Sequence, residues 1–137
     1  MGRILSIDYG MKRTGLAVTD PLQIIATALE TVESPKLISY LTAYFLREQV
    51  DALVIGMPKN LNNKDTDMTP VIRELITRLR KSFPEKSIHE IDERFTSSIA
   101  KKTMIASGMK KKDRQVKGNV DMISAVIILQ DYLSSKK

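Results

Sequence analysis

Hydrophobic and polar residues alternate from Arg3 to Tyr9, with Ile4, Ser6 and Asp8 on one face and Leu5, Ile7 and Tyr9 on the other, the two-residue period of a strand. A turn at Gly10 separates this run from a second predicted strand, "TGLAVTD", which Asp20-Pro21 ends, and "QIIATALETV" reads as a third. Strands joined by such short turns make an antiparallel meander. The period then changes. Ser34-Pro35 predicts a helix start, serine as N-cap and proline at the first helical position, and Leu37, Ile38, Leu41, Tyr44 and Phe45 follow at helical spacing to about Gln49.

The rest of the chain reads as an α/β alternation. "ALVIG" is a short continuous apolar run closed by glycine, the pattern of a strand buried on both faces of a parallel sheet. Lys59 to Asp67, "KNLNNKDTD", has no period and reads as a long loop. Thr69-Pro70 opens a second helix with Ile72, Leu75, Ile76, Leu79 and Phe83 facing inward, and Pro84 stops it. "SIHEID" is a short strand. Thr96 or Ser97 caps a predicted helix that ends at Gly108, a basic loop follows, and Asn119 caps an apolar helix to about Leu133.

Composition narrows the function classes. A chain of 137 residues, 42% hydrophobic, suits one domain over 1–137 with its own core. No stretch approaches the roughly 18 uninterrupted apolar residues of a membrane span, and the N-terminus is no signal peptide, so a soluble, cytoplasmic protein with no membrane partner is expected. There is no cysteine and a single histidine, His89, which is expected to be structural or exposed rather than a base. Thiolate chemistry and the usual zinc sites are therefore excluded, and any metal must be held by oxygen, which favours Mg²⁺ or Mn²⁺.

The net charge of +6 is concentrated in one place. Lys101, Lys102, Lys110, Lys111, Lys112, Arg114 and Lys117 stand against a single acid, Asp113, so this segment holds an excess equal to that of the whole chain. A solvated lysine loop would have this composition, and so would a surface that meets a polyanion. Aromatic residues are few, at 5%, so recognition of bases by stacking is not indicated.

Three acids sit at the end or edge of regular elements beside apolar neighbours: Asp8 at the end of the first strand, Glu93 at the end of the strand "SIHEID", and Asp121 in the first turn of the last predicted helix. Each has a purely structural explanation. A strand-terminal aspartate can open a turn, Glu93 can form an exposed ion pair, and Asp121 can complement a helix dipole. Gathered at the strand ends of an open α/β sheet, however, three carboxylates would repel one another unless cations intervened. A pair of divalent ions about 3.5–4 Å apart uses such a cluster for phosphodiester hydrolysis, which agrees with the basic segment.

The blocks "DYGMKRTGLAVTD", "VIGMPKNL", "DERFTS" and "VDMISAVIILQDYL" resemble, in order and spacing, those of the YqgF (RuvX) family, to which cleavage of pre-16S ribosomal RNA is ascribed and which is related to the Holliday junction resolvase RuvC. The resemblance runs almost end to end. It implies an RNase H-like fold: a five-stranded mixed sheet, antiparallel in its N-terminal half and parallel in its C-terminal strands, with helices on both faces. It also implies that Asp8, Glu93 and Asp121 are catalytic acids and metal ligands, Asp8 bridging two ions. Lys12, Arg13, Arg94, Thr96 and Ser97 match positions that contact phosphate or support the site, although Arg13 also suits a plain turn and Thr96 a plain helix cap.

The chain departs from the family pattern in two places. Asn62-Asn63 stands where an Asp-Gly pair is common, and Ser124 and Ala125 stand where two small residues, often alanines, are usual; resolvases of the RuvC type carry a further acid, three residues after their last aspartate, at the position of Ser124. The expected function is a metal-dependent nuclease in 5′-end maturation of pre-16S ribosomal RNA, meeting precursor RNA and ribosomal particles as a monomer or weak homodimer. The alternatives are a resolvase acting on DNA junctions and a non-catalytic ribosome-assembly factor. An actin-like ATPase shares the Asp-x-Gly hairpin, but 137 residues cannot hold the two domains it needs.

Overall fold

The alternating run at the N-terminus forms strand β1 (Arg3–Tyr9), which turns back into β2 (Arg13–Thr19) and then β3 (Ala26–Glu33). In the computed structural model, residues 2–57, 68–92 and 117–135 are described. After β3 come a 3-10 turn (Ser34–Lys36), α1 (Leu37–Arg47), β4 (Val50–Met57), α2 (Thr69–Ser82), β5 (Ser87–Asp92) and α3 (Lys117–Ser135). The sheet has five strands in the order β3-β2-β1-β4-β5, antiparallel at β1/β2 and β2/β3, parallel at β1/β4 and β4/β5. The expected meander and mixed sheet are both present.

Each face of the sheet is covered. Leu5, Ile7, Leu16, Val18, Leu53 and Ile55 pack with Leu37, Leu41 and Tyr44 of α1 and Ile72, Leu75, Ile76 and Leu79 of α2. On the other face Ile4, Ala17, Ala52 and Val54 meet Ala125, Ile128, Leu129 and Tyr132 of α3. A strand packed on both sides has no room for a polar alternation, which is why β4 reads as a continuous apolar run. No helix among the described residues is long and apolar enough to cross a membrane.

Three boundaries differ from the sequence expectation. β3 begins at Ala26 rather than Gln23 because the Asp20 carboxylate accepts the backbone N–H groups of Leu22, Ile24 and Ile25, at 3.2, 2.8 and 2.8 Å, and Gln23 takes a left-handed φ of 61°. A side chain that captures successive amides holds them as a loop instead of a strand. Ser34 is not a side-chain cap of α1; Lys36 is the N-cap residue and makes no side-chain cap bond. The Ser34 hydroxyl is used elsewhere, as described below. α3 starts at Lys117, so Asn119 lies inside it and Asp121 falls in the second turn, not the first. A capping preference is worth only about 1 kcal/mol, and continued helical bonding offsets it. The expected loop over Lys59–Asp67, the expected helix from Thr96 to Gly108 and the basic loop up to Arg114 lie outside the described residues.

A candidate active site at the edge of the sheet

The parallel strands β1, β4 and β5 end at one edge of the sheet, since Ile7 is level with Ile55, and Met57 with Asp92. Asp8 lies at this edge on the α3 side of β1, following Ile4, which packs in the α3 cluster, and Ser6, whose Oγ donates to the Ala125 carbonyl at 2.6 Å. From Ser6 to Asp8 the strand rises about 6.8 Å. From Ala125 back to Asp121 the helix spans about 6 Å. Asp8 thus lies two residues beyond this anchor along β1, and Asp121 about one turn before it along α3.

Gly15 explains how the helix comes so close. It is the cross-strand partner of Asp8, and a Cβ built on it would overlap the Asp121 carbonyl and lie 2.9 Å from the Met122 nitrogen. Only a residue without a side chain lets the backbone of α3 rest on β2 at this point. The contact joins Asp8, Gly15 and Asp121 into one local unit.

The third charged member is Arg13, whose Nε donates to Asp121 Oδ2 at 3.1 Å. The side chains are 39% and 24% exposed, so the pair is only partly desolvated, and such a contact is worth about 1 kcal/mol or less. Its geometry is set by the turn before it. Gly10 N–H donates to the Arg13 carbonyl at 3.0 Å, and a Cβ on Gly10 would lie 2.6 Å from that oxygen. Ser34 then clamps the turn from behind. Its Oγ donates to the Gly10 carbonyl at 2.5 Å, its backbone N–H donates to the Lys12 carbonyl at 3.0 Å, and the Thr14 hydroxyl lies 2.8 Å from Ser34 Oγ. Because the single Ser34 hydroxyl proton is given to Gly10, Thr14 is the donor of that last bond. Met11 and Lys12 are exposed at the tip.

Arg13 and Asp121 are thus paired beside Gly15, the strand partner of Asp8, with Lys12 on the same hairpin. β5 ends at Asp92, one residue before Glu93. Glu93, Arg94, Thr96, Ser97, Lys101, Lys102, Lys110, Lys111, Lys112 and Arg114 lie outside the described residues, and Lys117 is the first residue of α3. Among the described residues no three acids or histidines form a group able to hold a metal. His89 lies against the Tyr132 ring, centroids 5.1 Å apart, with Nε2 3.2 Å from Ser87 Oγ, which agrees with a structural role. Ser124, one turn beyond Asp121, is buried and its Oγ has no hydrogen-bond partner among the described residues.

The donor set available at this edge fits a hard divalent cation. Asp8 and Asp121 offer only carboxylate oxygens, and the helix rests on Gly15 with no side chain between. By contrast, a cleft of about 660 Å³ at the far end of the sheet is lined by Gln23, Ile24, Ile25, Ala26, Gln130, Leu133 and Ser134, none of them charged. Sequence reasoning missed Gly15, Thr14 and Ser34. A glycine inside an apolar strand is itself a signal of close backbone approach, whereas nothing local in "ESPK" points back to the first hairpin.

Comparison with known proteins places these features in a family. The RuvX family model, described as Holliday junction resolvase, matches residues 2–135. A protein of Flavobacterium psychrophilum named "Putative pre-16S rRNA nuclease" is 51% identical over 136 residues, covering 99% of each chain. Proteins of the same name from Flavobacterium johnsoniae and Bacteroides thetaiotaomicron are 52% and 49% identical, each over 100% of this chain and 99% of their own. Among solved structures, Thermus thermophilus RuvC in complex with Holliday junction substrate aligns with a TM-score of 0.58 at 13% identity, covering 99% of this chain and 96% of that one. A second Thermus thermophilus RuvC structure aligns at 0.54 and 11% identity, covering 98% and 95%. At such identities the likeness concerns the fold, and it bears out the RNase H-like arrangement of five strands. With a family model spanning almost the whole length and relatives about half identical throughout, the chain belongs to the RuvX family.

Proposed function

We propose that this chain is a divalent-metal-dependent nuclease that hydrolyses phosphodiester bonds in precursor 16S ribosomal RNA, maturing its 5′ end. Asp8, Glu93 and Asp121 act as catalytic acids and as ligands for Mg²⁺ or Mn²⁺. The observation that supports the proposal is the contact of α3 over Gly15, in which the Asp121 backbone lies against the cross-strand partner of Asp8. Relatives named for pre-16S rRNA cleavage support the substrate class.

A divalent ion bound there would activate water for attack on phosphorus and stabilise the leaving oxygen. The chain's own residues supply the rest. β1 and α3 hold the two carboxylates on rigid elements, anchored by the Ser6–Ala125 hydrogen bond. Lys12 and Arg13, on a hairpin clamped by Ser34, receive phosphate, as do Arg94, Thr96 and Ser97. Lys101, Lys102, Lys110, Lys111, Lys112, Arg114 and Lys117 guide the nucleic-acid backbone, so binding weakens steeply with salt. The 137 residues work as one domain in the cytoplasm, as a monomer or weak homodimer acting on ribosomal particles.

A second reading has its own support, because the family model is described as Holliday junction resolvase. The test separates the two. Purified protein and its Asp8→Asn variant are incubated with Mg²⁺ or Mn²⁺ on labelled RNA carrying the 16S precursor 5′ extension and on a four-way DNA junction. Metal-dependent cleavage of the RNA, lost in Asp8→Asn, is expected. Cleavage of the junction alone assigns the DNA reading, and cleavage of neither, or equal cleavage by the variant, refutes the nuclease.

A further inference from the structure

We propose that Arg13 is a built-in counter-cation of the metal site: its guanidinium holds Asp121 while no divalent ion is bound and exchanges from that carboxylate to a phosphate when one binds. This rests on the proposed metal-dependent reading of the same edge. It adds that loading of metal and grip on nucleic acid are coupled through one side chain.

Several observations point the same way. The backbone of Asp121 lies against Gly15, the cross-strand partner of Asp8; carboxylates gathered at one site repel one another, and a neighbouring positive charge offsets that repulsion. Among the described residues Arg13 makes one hydrogen bond to this carboxylate, from Nε to Oδ2 at 3.1 Å, although a guanidinium carries five donors and could close on a carboxylate bidentately. The contact is therefore weaker than an Arg–carboxylate pair can be. At 39% exposure the arginine also remains accessible to a ligand from solvent. The main chain under it is fixed, with Gly10, Lys12 and Thr14 all tied to Ser34, so the exchange is a rotation of the side chain and needs no movement of the hairpin.

Thermodynamic reciprocity gives the functional consequence. If a divalent ion releases Arg13 to bind phosphate more tightly, then phosphate that engages Arg13 raises the affinity for the ion by the same factor. An enzyme built this way fills its metal site most readily when substrate is present.

The experiment titrates Mn²⁺ alone into wild-type protein, Arg13→Gln and Arg13→Lys by calorimetry, with no nucleic acid added. Loss of a half-exposed ion pair predicts that Arg13→Gln binds Mn²⁺ more tightly, by up to about fivefold, while Arg13→Lys stays near wild type. An unchanged or weaker affinity in Arg13→Gln overturns the exchange and leaves the metal site standing. Failure of wild-type and Arg13→Gln proteins alike to bind Mn²⁺ overturns the metal-dependent reading together with the exchange. Should Arg13→Gln not fold, ¹⁵N-labelled wild-type protein decides: Mg²⁺ moves the Arg13 Nε–Hε resonance towards that of a solvent-exposed arginine, and a resonance that stays put as the site fills rejects the proposal.

Discussion

Gly15 lies against the backbone of Asp121 so closely that a single methyl group would overlap its carbonyl oxygen and stand 2.9 Å from the Met122 nitrogen. Both obstacles are backbone atoms of a helix, which cannot rotate aside. Gly15→Ala is therefore expected to push α3 off β2, costing about 1–3 kcal/mol as overpacking does, and to separate Asp121 from Asp8. Thermal denaturation and RNA cleavage, measured on the same preparation, check this. A variant with wild-type melting and full activity would contradict the close approach.

Ser34 is the second residue on which the site's geometry depends. Truncating it leaves the Gly10 carbonyl and the Thr14 hydroxyl without their partner, in a region where Thr14 and Ser34 are both buried. Ser34→Ala should cost about 1–3 kcal/mol, and Thr14→Val, which leaves the Ser34–Gly10 bond intact, about 1 kcal/mol or less. Urea unfolding of the two variants and of the double variant measures their coupling. Strictly additive losses would deny that the three groups form one chain of hydrogen bonds.

The elements themselves were largely legible because their signals are periodic and repeated. Ile72, Leu75, Ile76, Leu79 and Phe83 were expected to face inward, and all five are buried; "SIHEID" forms β5 over the same residues. What escaped was decided by single polar side chains reaching across the fold. Asp20 holds amides that "QII" would otherwise give to a strand, and Ser34 serves a hairpin 24 residues earlier rather than the helix it precedes. Of the candidate site, the strand position of Asp8 was evident from alternation, and its resemblance to a family pattern joined it to Asp121. The ion pair of Arg13 with Asp121 was not visible, because it spans 108 residues and depends on the height at which α3 crosses the sheet.

Asp20 also gives the loop after β2 a dependence on pH. Its carboxyl is held below the ordinary carboxylate range, first by the Ile25 amide, then by that of Ile24. A pKa lowered by folding means that the stabilisation is present above the unfolded-state value and is lost as pH falls through the folded one. Asp20→Asn should therefore melt below wild type at neutral pH, with the difference closing as acidification protonates the Asp20 carboxyl, below the ordinary carboxylate range. A constant gap between the two melting temperatures across the acid range would rule out this linkage.

Ser124 offers a substitution expected to stabilise. Its hydroxyl is buried at 1% exposure, without a hydrogen-bond partner among the described residues, inside the apolar contact between α3 and the sheet. An unsatisfied buried hydroxyl carries a desolvation cost of about 1–3 kcal/mol, and alanine removes it while leaving a cavity of only one atom. Alanine is also the better helix former, by about 0.5 kcal/mol. Ser124→Ala is expected to raise the free energy of unfolding in urea by about 1 kcal/mol or more, with an unchanged m-value. A gain no larger than the helix-propensity difference would mean the hydroxyl is solvated by a buried water. A loss would mean that the hydroxyl is hydrogen-bonded.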